Sequence, residues 1–191
     1  ATENKLPFKK IEGEAAFYGP KLDLQAKNVY GKEDTIITVQ IDFALPERFE
    51  MNYVDKDGQK KTPYVIHRSS IGCYERTLAM LIEKYGGAFP TWLSPEQVII
   101  VPVSDKFVDY AKDVHEQLLS ENIRSKLDDR NESLGSRIRT AQKLKVPYIL
   151  VIGAKETESK SVAVRDRKNN QATIKTDEFI QKLNKEIKNK E

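Results

Sequence analysis

The sequence has one cysteine, Cys73, in 191 residues. A lone thiol excludes an internal disulfide and any all-cysteine zinc site within one chain, and it suits a reducing, cytoplasmic setting. Histidine is scarce as well: there are two, His67 and His115, and neither sits in an HxH or CxxC arrangement. No apolar run approaches the roughly 20 residues needed to span a bilayer, and residues 1–5 do not read as a signal peptide. The expectation is a soluble, intracellular protein with no membrane partner. Charge of one sign is not in marked excess. A net +3 from 32 basic and 29 acidic residues permits a nucleic-acid partner without arguing for one. Internal repeats and low-complexity tracts are missing too, apart from a lysine-rich tail.

What is present divides into two rhythms. With 39% apolar residues the chain can bury a sizeable core, and two domains are expected, residues 1–90 and 95–191. The first half reads as strands. In "KLDLQAK" (21–27) Leu22, Leu24 and Ala26 alternate with Lys21, Asp23 and Gln25. In "TIITVQIDF" (35–43) Ile37, Val39, Ile41 and Phe43 share one face, and Thr38, Gln40 and Asp42 the other. "DKDG" (55–58) signals a turn joining "FEMNYV" and "TPYVIH" as a hairpin. After Gly72 the period becomes helical through Leu78, Leu81, Ile82 and Tyr85, until Gly86-Gly87 stops it. This half is an antiparallel sheet closed by a helix. Beyond "GGAFPTWLSPEQ" (86–97) strands and helices alternate. "VIIVPV" (98–103) is a strand, Ser104 offers an N-cap, and Phe107, Ala111, Val114 and Leu118 mark a helix. A strand in "IRSKLD", a helix over 134–144, a strand in "YILVIGA" (148–154), strands near 161–165 and 171–175 and a helix over 177–189 follow. Such alternation predicts a three-layer α/β domain with a mostly parallel core sheet.

Read singly, the polar residues leave their roles open. His67 shares a strand face with Val65; it suits a half-buried hydrogen-bonding histidine or one donor of a metal site that needs three or four. His115, on the polar flank of a helix, reads as solvated. Arg76 opens a helix, where a guanidinium can stack on a base, pair with phosphate or join a surface ion pair. The face of Thr38, Gln40 and Asp42 lines a pocket or meets solvent. In the second half Arg130, Asn131, Arg137 and Arg139, with Arg165, Arg167 and Lys168, form either a reader of unstacked RNA bases or a mixed-charge surface, since acidic residues are interleaved.

Together, "GEAAFYGPKLD" (13–23), "TVQIDFALPERF" (38–49), "VIHRSSIGCYER" (65–76), "TWLSPEQV" (91–98) and "DDRNESLGSRIR" with "VPYILVIGAKE" (128–156) resemble the C-terminal part of the threonyl-tRNA synthetase family, of class II. The likeness covers nearly the whole chain from Gly13. It implies part of a class II antiparallel catalytic domain followed by an anticodon-binding domain. It also implies an ATP-dependent ligase that uses ATP with Mg2+ to join threonine to tRNA-Thr as a homodimer. By the same resemblance His67 is one of three protein ligands of a zinc ion that takes the amino and hydroxyl groups of threonine. Such a metal rejects valine more strongly than an apolar pocket does. Arg76 matches the motif 3 arginine that stacks on adenine, Tyr18 and Lys21 match residues lining the adenylate and the terminal ribose, and Gln40 matches a glutamine of the same face. Lys21, Gln40 and Arg76 are thus the catalytic candidates, with Tyr18, Gln40 and Arg76 holding nucleotide and substrate. Asn131, Arg139, Glu156 and Arg165 match anticodon readers.

Thr35-Ile36 and Cys73 depart from the family pattern, where many members have Gln-Cys and serine. Motifs 1 and 2 and the other two zinc ligands do not occur in these 191 residues. The expectation is therefore an inactive portion of a ligase; the alternative is a non-catalytic RNA- or partner-binding module on the same fold.

Overall fold

The computed structural model describes residues 7–191; the reading of residues 1–5 lies outside them. Two compact units emerge, one ending at Met80 and the other running Leu81–Glu191.

In the first unit β1 (Lys21–Lys27) and β2 (Glu33–Asp42) pair antiparallel. A helical turn α1 (Ala44–Arg48) follows, then a small hairpin of β3 (Tyr53–Val54) and β4 (Lys60–Lys61), β5 (Val65–Arg68) and helix α2 (Tyr74–Tyr85). The sheet order is β1-β2-β5. The expected hairpin is corrected in one respect. The turn at Asp55–Gly58 forms, but the returning strand is Lys60–Lys61, while "VIHR" pairs with β2. Pro63 stands between them and has no N–H to continue a ladder.

Two glycines are dictated by close approach. Gly19 (φ +154°) and Gly72 (φ +74°) pass so near the Ile41 and Ile36 carbonyls that a Cβ would overlap either oxygen. Both bring their loops down onto β2.

The second unit takes in the end of α2 from Leu81, and a 3₁₀ turn, Thr91–Leu93, follows. It continues through β6 (Val98–Pro102), α3 (Val108–Ser120), β7 (Ser125–Leu127), α4 (Leu134–Lys143), β8 (Tyr148–Ile152), α5 (Ala154–Ser159), β9 (Ser161–Asp166), β10 (Gln171–Lys175) and α6 (Thr176–Asn189). The sheet order is β10-β9-β8-β6-β7. Pairing is parallel across β7, β6 and β8 and antiparallel from β8 to β10, so the parallel core carries an antiparallel flank. One core sets Val98, Ile100, Leu150 and Val162 against Ala111, Val114 and Leu118 of α3 and Phe179 and Leu183 of α6. The other sets Ile99, Val101 and Ile149 against Ala141 of α4. This is the three-layer arrangement.

Two local readings change. Ser104 makes no capping bond, because a 3₁₀ turn (Asp105–Phe107) precedes α3. Helix α5 was not anticipated, since "AKETES" carries no apolar period.

The units differ sharply in core. Pro46 apart, the buried hydrophobic side chains among the described residues all fall between Val98 and Leu183, and each buried Val, Leu, Ile or Phe contributes roughly 1.5–3 kcal/mol. On the first sheet Leu22, Leu24 and Ile66 stay 55%, 47% and 65% exposed. Limited proteolysis is therefore expected to remove residues before Met80 first and to leave a resistant core near 95–191. Early loss of that core would contradict this division.

Candidate functional site

The polar face of the first sheet is set by register. Lys21 pairs with Gln40, and Gln40 with His67, so the three lie in one row across β1, β2 and β5. Directly opposed residues project to the same face. Asp23 pairs with Thr38 in the next row. A bulge at Leu24/Gln25 then skips Ile36 and brings Thr35 opposite Gln25, where Gln25 Nε2 donates to Thr35 Oγ1 at 2.8 Å. The bulge keeps the face polar to the start of the strand. From Gln40 to Thr35 it runs roughly 17 Å at about 3.3 Å per residue.

At one end lies a cavity of about 370 Å³ lined by Phe17, Tyr18, Gln40, Asp42, Ala44, Leu45, Arg48 and His67. Tyr18 Oη donates to Gln40 Oε1 at 2.5 Å and its ring meets that of His67 edge-on at 6.2 Å. The loop bearing Tyr18 is fixed by backbone bonds from Phe43 N to Tyr18 O and from Ile41 N to Pro20 O.

Asp42 is the group that sequence reading missed as an individual. It is 1% exposed. Its Oδ1 accepts from the backbone N–H of Ala44 and of Leu45, both at 2.9 Å, and its Oδ2 lies 2.9 Å from His67 Nε2. Burial works to raise its pKa, but the Leu45 N–H, His67 and the Ala44 N–H outweigh it, and the carboxyl is held below its ordinary value. The signal was present: an aspartate two and three residues before the first N–H groups of a short helix is an Asx turn.

Lys21 and Arg76 lie outside the cavity lining. Lys21 Nζ pairs with Asp23 Oδ2 at 2.7 Å, and Asp23 also accepts from Thr38 Oγ1. Asp23 raises the lysine's pKa and is itself lowered. Arg76 Nη1 donates to Thr35 O at 3.2 Å, which puts it at the other end of β2 from His67. The structure thus brings Tyr18, Gln40 and His67 together, sets Lys21 beside them in register and holds Arg76 at the far end of the polar strip.

For the implied zinc the donor set is partial. Among the described residues no group of three or more His, Cys, Asp and Glu gathers to hold a metal. Cys73 Sγ is turned to Glu75. His67 nonetheless suits one donor position, because Asp42 occupies Nε2 and Nδ1 has no hydrogen-bond partner among the described residues.

In the second unit the arginines sort themselves by partner. Arg137 is 6% exposed and donates to Asp128 O (2.9 Å) and Pro102 O (2.8 Å), tying the ends of β7 and β6. Arg130 grips the Asp128 carboxylate through Nε and Nη2, each at 2.8 Å. Arg167 donates to the carbonyls of Lys145 and Phe89 and to Ser94 Oγ. These three serve the fold. Arg139 on α4 and Asn131, in the loop after β7, are exposed. Glu156 Oε2 accepts from Gly153 N at 2.9 Å, capping α5 at the end of β8. Asn131 and Glu156 therefore stand at the carboxyl ends of the parallel strands, where open α/β sheets bind ligands. Arg165 is elsewhere: it pairs with Ile149 near the start of β8, half-buried, with Nε unpartnered. His115 is not simply solvated, since Nδ1 bonds Ser125 Oγ.

Arg130 holds the Asp128 carboxyl below its ordinary value against the opposing effect of burial. A depressed carboxyl pKa contributes stability that is complete above the unfolded value of about 3.9 and is lost as pH falls through the folded one. Denaturant midpoints should therefore show a steeper acid loss below about pH 4. Asp128→Asn should flatten it; an unchanged slope would count against the pair.

Residues 3–85 match the family described as tRNA synthetase class II core domain (G, H, P, S and T), and residues 97–186 the family described as Anticodon binding domain. The threonine–tRNA ligase of Clostridium botulinum (strain Eklund 17B / Type B) is 59% identical over 188 residues, covering 98% of this chain and 29% of that protein. The same-named protein of Clostridium perfringens (strain SM101 / Type A) is 58% identical over 187 residues, covering 97% of this chain and 29% of that protein. Over nearly its whole length the chain is similar to part of the threonine–tRNA ligases. A crystal structure of the RNA binding domain of threonyl-tRNA synthetase from Cryptosporidium parvum Iowa II superposes with a TM-score of 0.78 at 36% identity, covering 91% of this chain and 44% of that one. The chain spans about 29% of the length of the curated synthetase-family relatives it matches. Among the described residues no helix is long and apolar enough to cross a membrane.

Proposed function

We propose that this chain is the portion of a threonine–tRNA ligase that supplies motif 3, one zinc ligand and anticodon recognition. The whole protein activates threonine with ATP and Mg2+ and transfers it to tRNA-Thr, acting as a cytoplasmic homodimer. The observation that carries the reading is the row Lys21–Gln40–His67, with Tyr18 beside it and Arg76 at the far end of the same strand. A long, polar, one-sided strip suits a substrate with an amino acid at one end and a base at the other. In this reading residues 1–90 belong to the aminoacylation domain and 95–191 bind the anticodon.

Each side chain has a task. Gln40 and Tyr18, already bonded to one another, orient the amino acid and the terminal ribose; Lys21 lies against the adenylate with its charge held by Asp23; Arg76 stacks on adenine. His67 would supply one nitrogen to a zinc ion whose other donors lie outside these residues, and the ion would supply Lewis-acid recognition of threonine's amino and hydroxyl groups. Asn131, Arg139, Glu156 and Arg165 read the anticodon through directional hydrogen bonds.

The test is a chimera in which residues 7–191 replace the corresponding part of the Clostridium perfringens relative. It is expected to charge tRNA-Thr, with His67→Ala and Arg76→Ala each lowering the rate at least tenfold. This chain alone is expected to show no threonine-dependent pyrophosphate exchange. A chimera that binds tRNA but never activates threonine would favour the non-catalytic module.

A further inference from the structure

His67 offers two ring nitrogens, and which of them carries the proton decides what the cavity presents to a ligand. The surroundings settle this. Both nearby backbone donors, Ala44 N–H and Leu45 N–H, point at Asp42 Oδ1, so Oδ2 alone faces the ring. A carboxylate oxygen only accepts, so Nε2 is the protonated nitrogen. Nδ1 is left with a bare lone pair and no hydrogen-bond partner among the described residues.

We propose that Asp42 is a positioning residue that locks His67 in the Nε2–H form and presents Nδ1 as the donor nitrogen of the cavity for a divalent metal ion. Asp42 is well placed to do so. It is buried at the end of β2, its backbone pairs with Val65 two residues before His67, and the Asx turn clamps its carboxylate from the α1 side. With the ring held by a fixed oxygen, neither rotation nor tautomer exchange is free. The metal half of the proposal rests on the function proposed above; the tautomer half does not.

Asp42→Asn makes the test sharp because it is nearly isosteric. The two backbone N–H groups still require an acceptor at Oδ1, so the new NH2 must face the ring. Nε2 then has to accept, and the proton moves to Nδ1.

Long-range 15N–1H correlation spectra of the histidine-labelled chain, taken about two pH units above the usual imidazole pKa of about 6.5, report the tautomer directly. His115, bonded to Ser125, serves as the internal reference. The expected result is a single Nε2–H form for His67 in the wild type, inversion to Nδ1–H in Asp42→Asn, and an unchanged His115. A wild-type Nδ1–H form, a mixture of comparable populations, or an unaltered His67 pattern in the variant would overturn the proposal. The wild-type spectrum decides even if the variant folds poorly. In the chimera, Asp42→Asn should weaken zinc binding about 10- to 100-fold by competition with a chelator. Undiminished zinc affinity together with an inverted tautomer would overturn the metal half alone. A chimera that never charges tRNA would count against the proposed function and leave the tautomer result standing.

Discussion

Replacing Arg137 with methionine is expected to lower the stability of the Leu81–Glu191 unit by roughly 2–4 kcal/mol, since two buried carbonyls lose their donors at about 1–3 kcal/mol each. Those carbonyls belong to Asp128 and Pro102. Part of the loss is offset because wild-type Arg137 is itself a buried charge, with an unpartnered Nε. Arg139→Met, two residues along the same helix, removes an exposed guanidinium and should stay within about 0.5 kcal/mol. Urea midpoints of the two variants measure the contrast; equal, small shifts would show that Arg137 is not a structural tie. The functional corollary runs the other way. Arg139→Met should weaken tRNA binding at unchanged stability, whereas Arg137→Met should weaken it only as far as the loop carrying Asn131 loosens.

How much of this was legible in the sequence depended on the range of the interaction. Period-two alternation in "KLDLQAK" and "TIITVQIDF" placed the polar and apolar faces of β1 and β2 correctly, because that pattern is local. The row Lys21–Gln40–His67 needed the register, which no single strand contains. The turn at Asp55–Gly58 was legible from its residues, but its partner strand was not, since pairing is decided across the sheet. Helix α5 escaped because Glu156 capping Gly153 N stabilises it more than any apolar stripe. Among the arginines, composition could not tell Arg137 and Arg167, consumed by backbone carbonyls, from Arg139, left exposed; burial of a charge is a tertiary fact. Asp42 was read as one member of a polar face. Its bond to His67 joins residues 25 apart, and only the pairing of Asp42 with Val65 brings them together.

Exchanging the second and third anticodon bases of a threonine tRNA is expected to weaken its binding to this chain at least about tenfold, with each lost directional contact costing about 1–3 kcal/mol. The comparison has to be made at one salt concentration, because phosphate contacts supply affinity for any RNA and set a floor beneath which the exchanged tRNA will not fall. Asn131→Ala removes no charge. It should reproduce part of the loss while leaving the slope of log affinity against log salt unchanged, and it should narrow the gap between the two tRNAs. Arg165→Ala deletes both a charge and a directional donor, so it should lower the affinity and the slope together. This separates reading from attraction. If the residues act as a basic surface alone, both tRNAs bind equally, Asn131→Ala is silent, and only the arginine variants respond in proportion to salt. If they read bases, the uncharged substitution carries the decisive effect, because losing a base-edge bond narrows the gap between the two tRNAs, whereas losing a bond to phosphate or ribose would weaken both equally.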